Sequence, residues 1–155
     1  MRSTAIVDAG PLYAAADTHD LNHATSLQVL YRRDLDLVVP ALVVTEVTQL
    51  IGSRLGAGAE AAFLRGLAGF AIEPPAVEDW PRIADLVERY GDFPLGTVDA
   101  SVAVLADRLD TDLIVTLDRR HFGAIRSLRG TAFRLLPELL QVHEDPAEYT
   151  VEPAQ

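Results

Sequence analysis

Five short apolar runs constrain the fold most: Ala5-Ile6-Val7, Leu37-Val38-Val39, Phe70-Ala71-Ile72, Leu113-Ile114-Val115 and Phe133-Arg134-Leu135-Leu136. Each is too short for a helix and is bounded by turn or charged residues, the pattern of a strand buried on both faces. Between them lie segments whose apolar positions recur at helical spacing. Strands alternating with helices predict an α/β protein with a central, mostly parallel β-sheet flanked by helices. At 155 residues and 49% hydrophobic, the chain can bury the core such a sheet needs.

The connecting segments give the helices. Asp8 stands where it can N-cap a helix running from Leu12 to Ala16, with Pro11 in its first turn. His19 and His23 fall four apart on the expected next helix, which ends near Arg32-Arg33. That spacing can serve zinc, but with no third nitrogen or sulfur ligand in view, packing or hydrogen bonding is the favoured role. Pro40 starts a helix whose apolar face is Leu42, Val43, Val47, Leu50 and Ile51 and which carries Glu46. Gly56-Ala57-Gly58 breaks the pattern before Ala61, Phe63, Leu64 and Leu67 resume it, predicting a projecting helical hairpin with an apolar surface suited to self-association. Glu73-Pro74-Pro75 is a stiff turn into a helix from about Val77 to Tyr90. A loop over 91–96, holding Asp92, then leads to Thr97, read as the cap of a helix bearing Val98, Val102, Leu105 and Leu109. His121-Phe122 fall in a short irregular or helical segment. Residues 1–137 are expected to form one domain and 138–155 an acidic tail.

Composition excludes several classes of chemistry. There is no cysteine, hence no disulfide, thiolate nucleophile or cysteine-bound zinc. All 13 basic residues are arginine, which removes Walker-type phosphate binding and Schiff-base catalysis. No apolar run approaches the ~18 residues of a membrane helix, and the charge at Asp8 comes too early for a signal peptide, so a cytoplasmic protein is expected. The net charge of −10 argues against a general nucleic-acid coat. Within 108–134, however, six arginines face three aspartates, a local excess suited to a phosphate-bearing substrate.

The acids point to a site. Asp99 sits in the first turn of its helix, where backbone amides favour an anion. Asp8 and Asp118 end two strands at the sheet edge where α/β proteins bind ligands, and Glu46 is poised to join them from its helix. Asp92 is a possible fifth acid. Such a cluster is unfavourable unless protonated or neutralised, and a hard divalent ion with oxygen ligands, Mg2+ or Mn2+, neutralises it most directly. Such an ion suits phosphodiester hydrolysis by activated water.

These residues resemble a family. Ile6-Val7-Asp8, Thr45-Glu46-Val47, Thr97-Val98-Asp99-Ala100-Ser101 and Val115-Thr116-Leu117-Asp118 are similar to the acidic signature of PIN-domain nucleases, with VapC-type toxins the closest subgroup. Tyr90-Gly91-Asp92-Phe93-Pro94-Leu95 and Phe133-Arg134-Leu135-Leu136-Pro137 extend the resemblance over nearly the whole chain. It implies a PIN-like fold and a Mg2+- or Mn2+-dependent endoribonuclease. It also implies a homodimer, silenced by a small VapB-like antitoxin. Carried across, Asp8, Glu46, Asp99 and Asp118 would be the catalytic and metal-binding acids, with Thr116 a supporting hydroxyl and Asp92 nearby. Arg119 and Arg120 would contact the RNA. Ala9-Gly10 departs from the pattern, since many members have a hydroxyl residue after the first acid. The rival reading is a catalytically weak protein of the same fold whose acidic pocket docks an arginine-bearing partner.

Overall fold

A computed structural model describes residues 1–139; the tail expected over 138–155 lies outside the described residues from position 140. Five strands form one sheet: β1 (Ser3–Val7), β2 (Leu35–Pro40), β3 (Ala71–Glu73), β4 (Leu113–Val115) and β5 (Arg134–Leu136). All pairings are parallel, in the order β3-β2-β1-β4-β5. Ile6 pairs with Val38 on one side and Ile114 on the other, and Val115 pairs with Val7 and Leu136. Ala5, Ile6, Val7, Val39, Ile114 and Val115 are fully buried, as continuous apolar strands covered on both faces should be.

Seven helices connect them among the described residues: α1 (Ala9–Ala16), α2 (His23–Leu30), α3 (Ala41–Leu55), α4 (Ala57–Gly66), α5 (Asp79–Arg89), α6 (Thr97–Arg108) and α7 (Arg119–Ala124). The α3–α4 hairpin turns at Gly56, whose φ of +90° a side chain would resist. A short 3₁₀ turn over Leu67–Gly69 then leads into β3. α1 packs on α2 and α3, while α5 packs on α6, which lies against β1, β2 and β4. Arg108, near the end of α6, reaches the buried Asp79 with Nε at 3.0 Å and the Pro74 carbonyl with Nη2 at 3.0 Å, tying the two helices to the loop after β3.

Three local expectations are corrected. The helix of His23 does not include His19: Asp17 Oδ1 accepts from the His19 amide and Asp20 Oδ1 from that of Asn22, holding the chain in turns until residue 23. His19 is exposed, and His23 Nδ1 lies 2.8 Å from the Ala14 carbonyl oxygen, so the pair forms no common site. The cap of α6 is Gly96 rather than Thr97, because the first helical bond runs from the Ala100 amide to the Gly96 carbonyl. β3 begins one residue later than the apolar run, since Phe70 packs its ring against the core from the preceding turn.

Candidate active site

The strand order creates the site. The chain winds outward from β1 through β2 to β3, then crosses back to lay β4 on the other side of β1. β1 and β4 therefore flank the switch point, and the crevice beyond their carboxyl ends is where this architecture binds ligands. The ladder continues one residue past both strands, with the Asp8 amide donating to the Val115 carbonyl and the Thr116 amide to that of Leu136, each at 2.9 Å. Asp8 and Thr116 are thereby held by backbone as well as by side chain.

Asp8 occupies the N-cap position of α1, yet its side chain makes no capping bond. Its Oδ2 instead accepts from Thr116 Oγ1 at 2.8 Å, and that oxygen accepts from the Asp118 amide at 2.9 Å. Because the Thr116 oxygen is engaged by an N–H, its own proton is directed at Asp8. Thr116 supplies a hydroxyl to the first acid from the adjacent strand, where Ala9-Gly10 have none to offer. Gly10 answers a steric demand, since a Cβ there would stand 3.3 Å from the Cβ of Leu117.

Asp8 is only 5% exposed, and burial pushes its carboxyl up from 3.8 to about 6, with smaller contributions from the charges of Asp99 and Glu46. The Ala9 amide and Thr116 hydroxyl only partly offset this. Asp99, three residues past its Gly96 cap, is also raised, first by burial and then by Asp118, against the opposing effects of His121 and the Gly96 amide. Glu46 lies on the more open face of α3 and is raised by desolvation and by Asp99. Asp118 moves the other way. Burial opposes its charge, but hydrogen bonds from the amide and ring of His121 outweigh it and lower the carboxyl.

The tightest grouping holds one residue that sequence reasoning did not place in the site. Ligand atoms of Asp99, Asp118 and His121 all lie within 4.8 Å of one another. Asp118 Oδ1 accepts from the His121 amide at 2.9 Å, capping α7, while His121 Nδ1 contacts Asp118 Oδ2 and stands 4.0 Å from Asp99 Oδ2. The signal was available: an acid at an N-cap meets the residue three positions on, the reciprocal geometry of a helix start. Asp8 and Glu46 stand outside this trio and are coupled to it through charge. Asp92 is exposed in its turn and is not part of the trio. Arg119 donates to the Pro137 carbonyl, and Arg120 lies over the ring of Phe93 at 5.2 Å.

A family model for the PIN domain matches residues 5–127. The chain belongs to the PIN-domain family. This PIN domain is 39% identical over 134 residues to Ribonuclease VapC26 of Mycobacterium tuberculosis (strain ATCC 25618 / H37Rv), a match covering 85% of this chain and 99% of the relative. It is thus a PIN domain of the VapC type. Solved structures share its fold at low identity. Mycobacterium tuberculosis VapC20, described as a sarcin-ricin loop cleaving toxin, superposes with a TM-score of 0.66 at 16% identity, covering 71% of this chain and 86% of that one. VapBC2 of Rickettsia felis, bound to a DNA fragment from its promoter, gives 0.64 at 13%, covering 85% and 98%. FitAcB of Neisseria gonorrhoeae gives 0.60 at 14%, covering 84% and 96%.

Proposed function

We propose that this PIN domain is a Mg2+- or Mn2+-dependent endoribonuclease, the cytoplasmic toxin of a toxin–antitoxin pair, with residues 1–137 as the nuclease unit. The observation that carries the reading is a buried Asp8 at a switch-point crevice, sharing its charge field with Glu46 and Asp99, which itself faces Asp118, in a chain 39% identical to a VapC ribonuclease. The donor set fits a hard divalent ion: carboxylate oxygens dominate, cysteine is absent, and the two acids of the trio hold their oxygens within 4.8 Å of each other and of His121. Asp8, Asp99 and Asp118 would hold the ion, with Glu46 completing the negative face. A divalent ion bound there supplies Lewis-acid activation of a water and neutralises charge on the phosphodiester.

The chain's own residues prepare that site. Thr116 directs its hydroxyl proton to Asp8 and so favours the ionised, ligating form against burial. His121 orients Asp118 through amide and ring, keeping it charged. Arg119 and Arg120, at the start of α7 beside Asp118, would bind the RNA, Arg119 at the RNA backbone and Arg120 through the surface it shares with Phe93. A VapB-like antitoxin would silence the enzyme by laying an apolar helix in the open groove of about 980 Å3 lined by Leu12, Ala16, Leu27, Leu30, Phe63 and Phe70, and by presenting an arginine to the acids.

The test is cleavage of single-stranded RNA by purified protein. Activity should require Mg2+ or Mn2+, disappear with chelator, and fall to background in Asp99→Asn with the fold intact. Cleavage that survives both treatments would sink the assignment. A folded parent that never cuts RNA yet binds an arginine-bearing partner would favour the docking reading instead.

A further inference from the structure

The loop before α6 places an aromatic ring against the acidic site. Phe93 packs edge-to-face on His121, with ring centroids 5.0 Å apart and planes at 72°, and His121 is the residue whose ring contacts Asp118. On Phe93 lies the guanidinium of Arg120, 5.2 Å from the centroid. Phe93 is partly buried, whereas Arg120 is exposed. The three side chains touch in series: the His121 imidazole on Asp118, the Phe93 ring against the imidazole, and the exposed Arg120 guanidinium over the Phe93 ring.

We propose that Phe93 and Arg120 form a stacking platform for one unpaired nucleobase of the RNA, the base adjoining the phosphate held at the acids. The inference rests on the ribonuclease reading and names the substrate feature its site accepts. A phosphate at Asp99 and Asp118 brings its neighbouring nucleoside out over the next surface, and that surface is the Phe93–Arg120 pair. Arginine planes and aromatic rings are the two surfaces on which proteins stack splayed-out bases. Here the guanidinium over the Phe93 ring belongs to an exposed residue, so the pair offers a base a cation and an aromatic ring on one surface. A base inside a duplex offers no free face, so the platform selects single-stranded or looped RNA. His121, by touching both Phe93 and Asp118, fixes the platform relative to the acids.

The experiment uses the full chain carrying Asp99→Asn, so that RNA stays uncut, and measures binding of short labelled single-stranded oligoribonucleotides in Mg2+ by fluorescence anisotropy. An abasic ribose is placed at each position in turn. One position is expected at which loss of the base weakens binding roughly tenfold, the scale of one stacked base. In Phe93→Leu that position should lose its special effect, with the intact oligonucleotide binding roughly tenfold more weakly. Phe93→Tyr, which keeps the ring, should bind within about twofold of the parent, and this separates lost stacking from a disturbed loop. If Phe93→Leu binds the intact oligonucleotide as the parent does, or if the abasic profile is the same in both, the platform is wrong while the ribonuclease reading stands. If neither the Asp99→Asn protein nor the parent binds or cuts any oligonucleotide, the ribonuclease reading fails and takes the platform with it.

Discussion

Asp8→Asn measures what a buried first acid costs the fold. In the unfolded chain Asp8 titrates near 3.8; in the folded protein burial and the neighbouring acids move it to about 6. Between those values the folded state holds a proton that the unfolded state has lost. Stability therefore falls as pH rises through this window and stays lower above it. With Asp8 almost wholly enclosed, the difference corresponds to about 3 kcal/mol at neutral pH. Asparagine removes the titration but keeps an oxygen to accept from Thr116 Oγ1, so the hydrogen-bonded frame survives. In metal-free buffer Asp8→Asn should match the parent near pH 4 and melt higher by pH 7, by roughly 10 °C for a domain of this size. Millimolar Mg2+ should narrow or reverse the gap, because binding to the native state stabilises the parent more. Thermal melts of both proteins from pH 4 to 8, with chelator and with Mg2+, decide the matter. A gap that stays constant across that range in chelator would refute the argument, since Asp8 would then not change charge there.

Three further outcomes are expected. Thr116→Val keeps the shape of a fully buried side chain but removes the donor to Asp8 and the acceptor for the Asp118 amide; it should destabilise by about 2–4 kcal/mol in urea titrations near neutral pH, and by less near pH 4, where Asp8 is protonated. Asp79→Asn removes the buried charge that faces Arg108 at the far end of α6, nine residues from Asp99, and leaves Arg108 only Glu73 and the Pro74 carbonyl; it should cost about 2 kcal/mol in denaturant unfolding while RNA cleavage per folded molecule stays unchanged. The α3–α4 hairpin, with Leu55 and Leu64 left exposed, should pair two copies, so sedimentation at micromolar concentration should give a dimer; a protein that stays monomeric when freed of any antitoxin removes that assignment.

The sheet and the positions of four acids, Asp8, Glu46, Asp99 and Asp118, were legible because they depend on local pattern. Leu113-Ile114-Val115 has no other way to be buried, so β4 and the position of Asp118 beyond its end follow from the run itself. Glu46 and Asp99 were readable as helix positions for the same reason, and Asp8 as the residue after an apolar strand. What failed depended on side-chain-to-backbone bonds that compete with helix. Asp17 and Asp20 each take an amide two residues on and so delay α2, a choice hydrophobic spacing cannot register. The expected capping bond of Asp8 was lost to Thr116, a residue 108 positions away, and such a contest is visible only once β1 and β4 are adjacent. His121 entered the site through the tight start of α7, whose six residues are too few to show periodicity.

The crossover from β3 to β4 is what makes this arrangement possible. Neighbouring strands lie about 4.8 Å apart, so with β4 beside β1 the ends bearing Asp8 and Asp118 are one strand spacing from each other. Had β4 been added beyond β3, three spacings, about 14 Å, would separate them, too far for the Thr116 hydroxyl to reach Asp8. The returning connection must pass back over β2 and β1 to reach its place, and α6 does so, lying against β1, β2 and β4. Its first turn therefore arrives over the same crevice with Asp99 in it. One chain reversal thus delivers the third acid on its helix and the fourth on the strand that follows, while Glu46 needs only α3, the helix that leaves β2 next door. The repulsion among these acids is sustained by strands whose inner residues are fully buried, and any ion that relieved it would bind the native state and stabilise it.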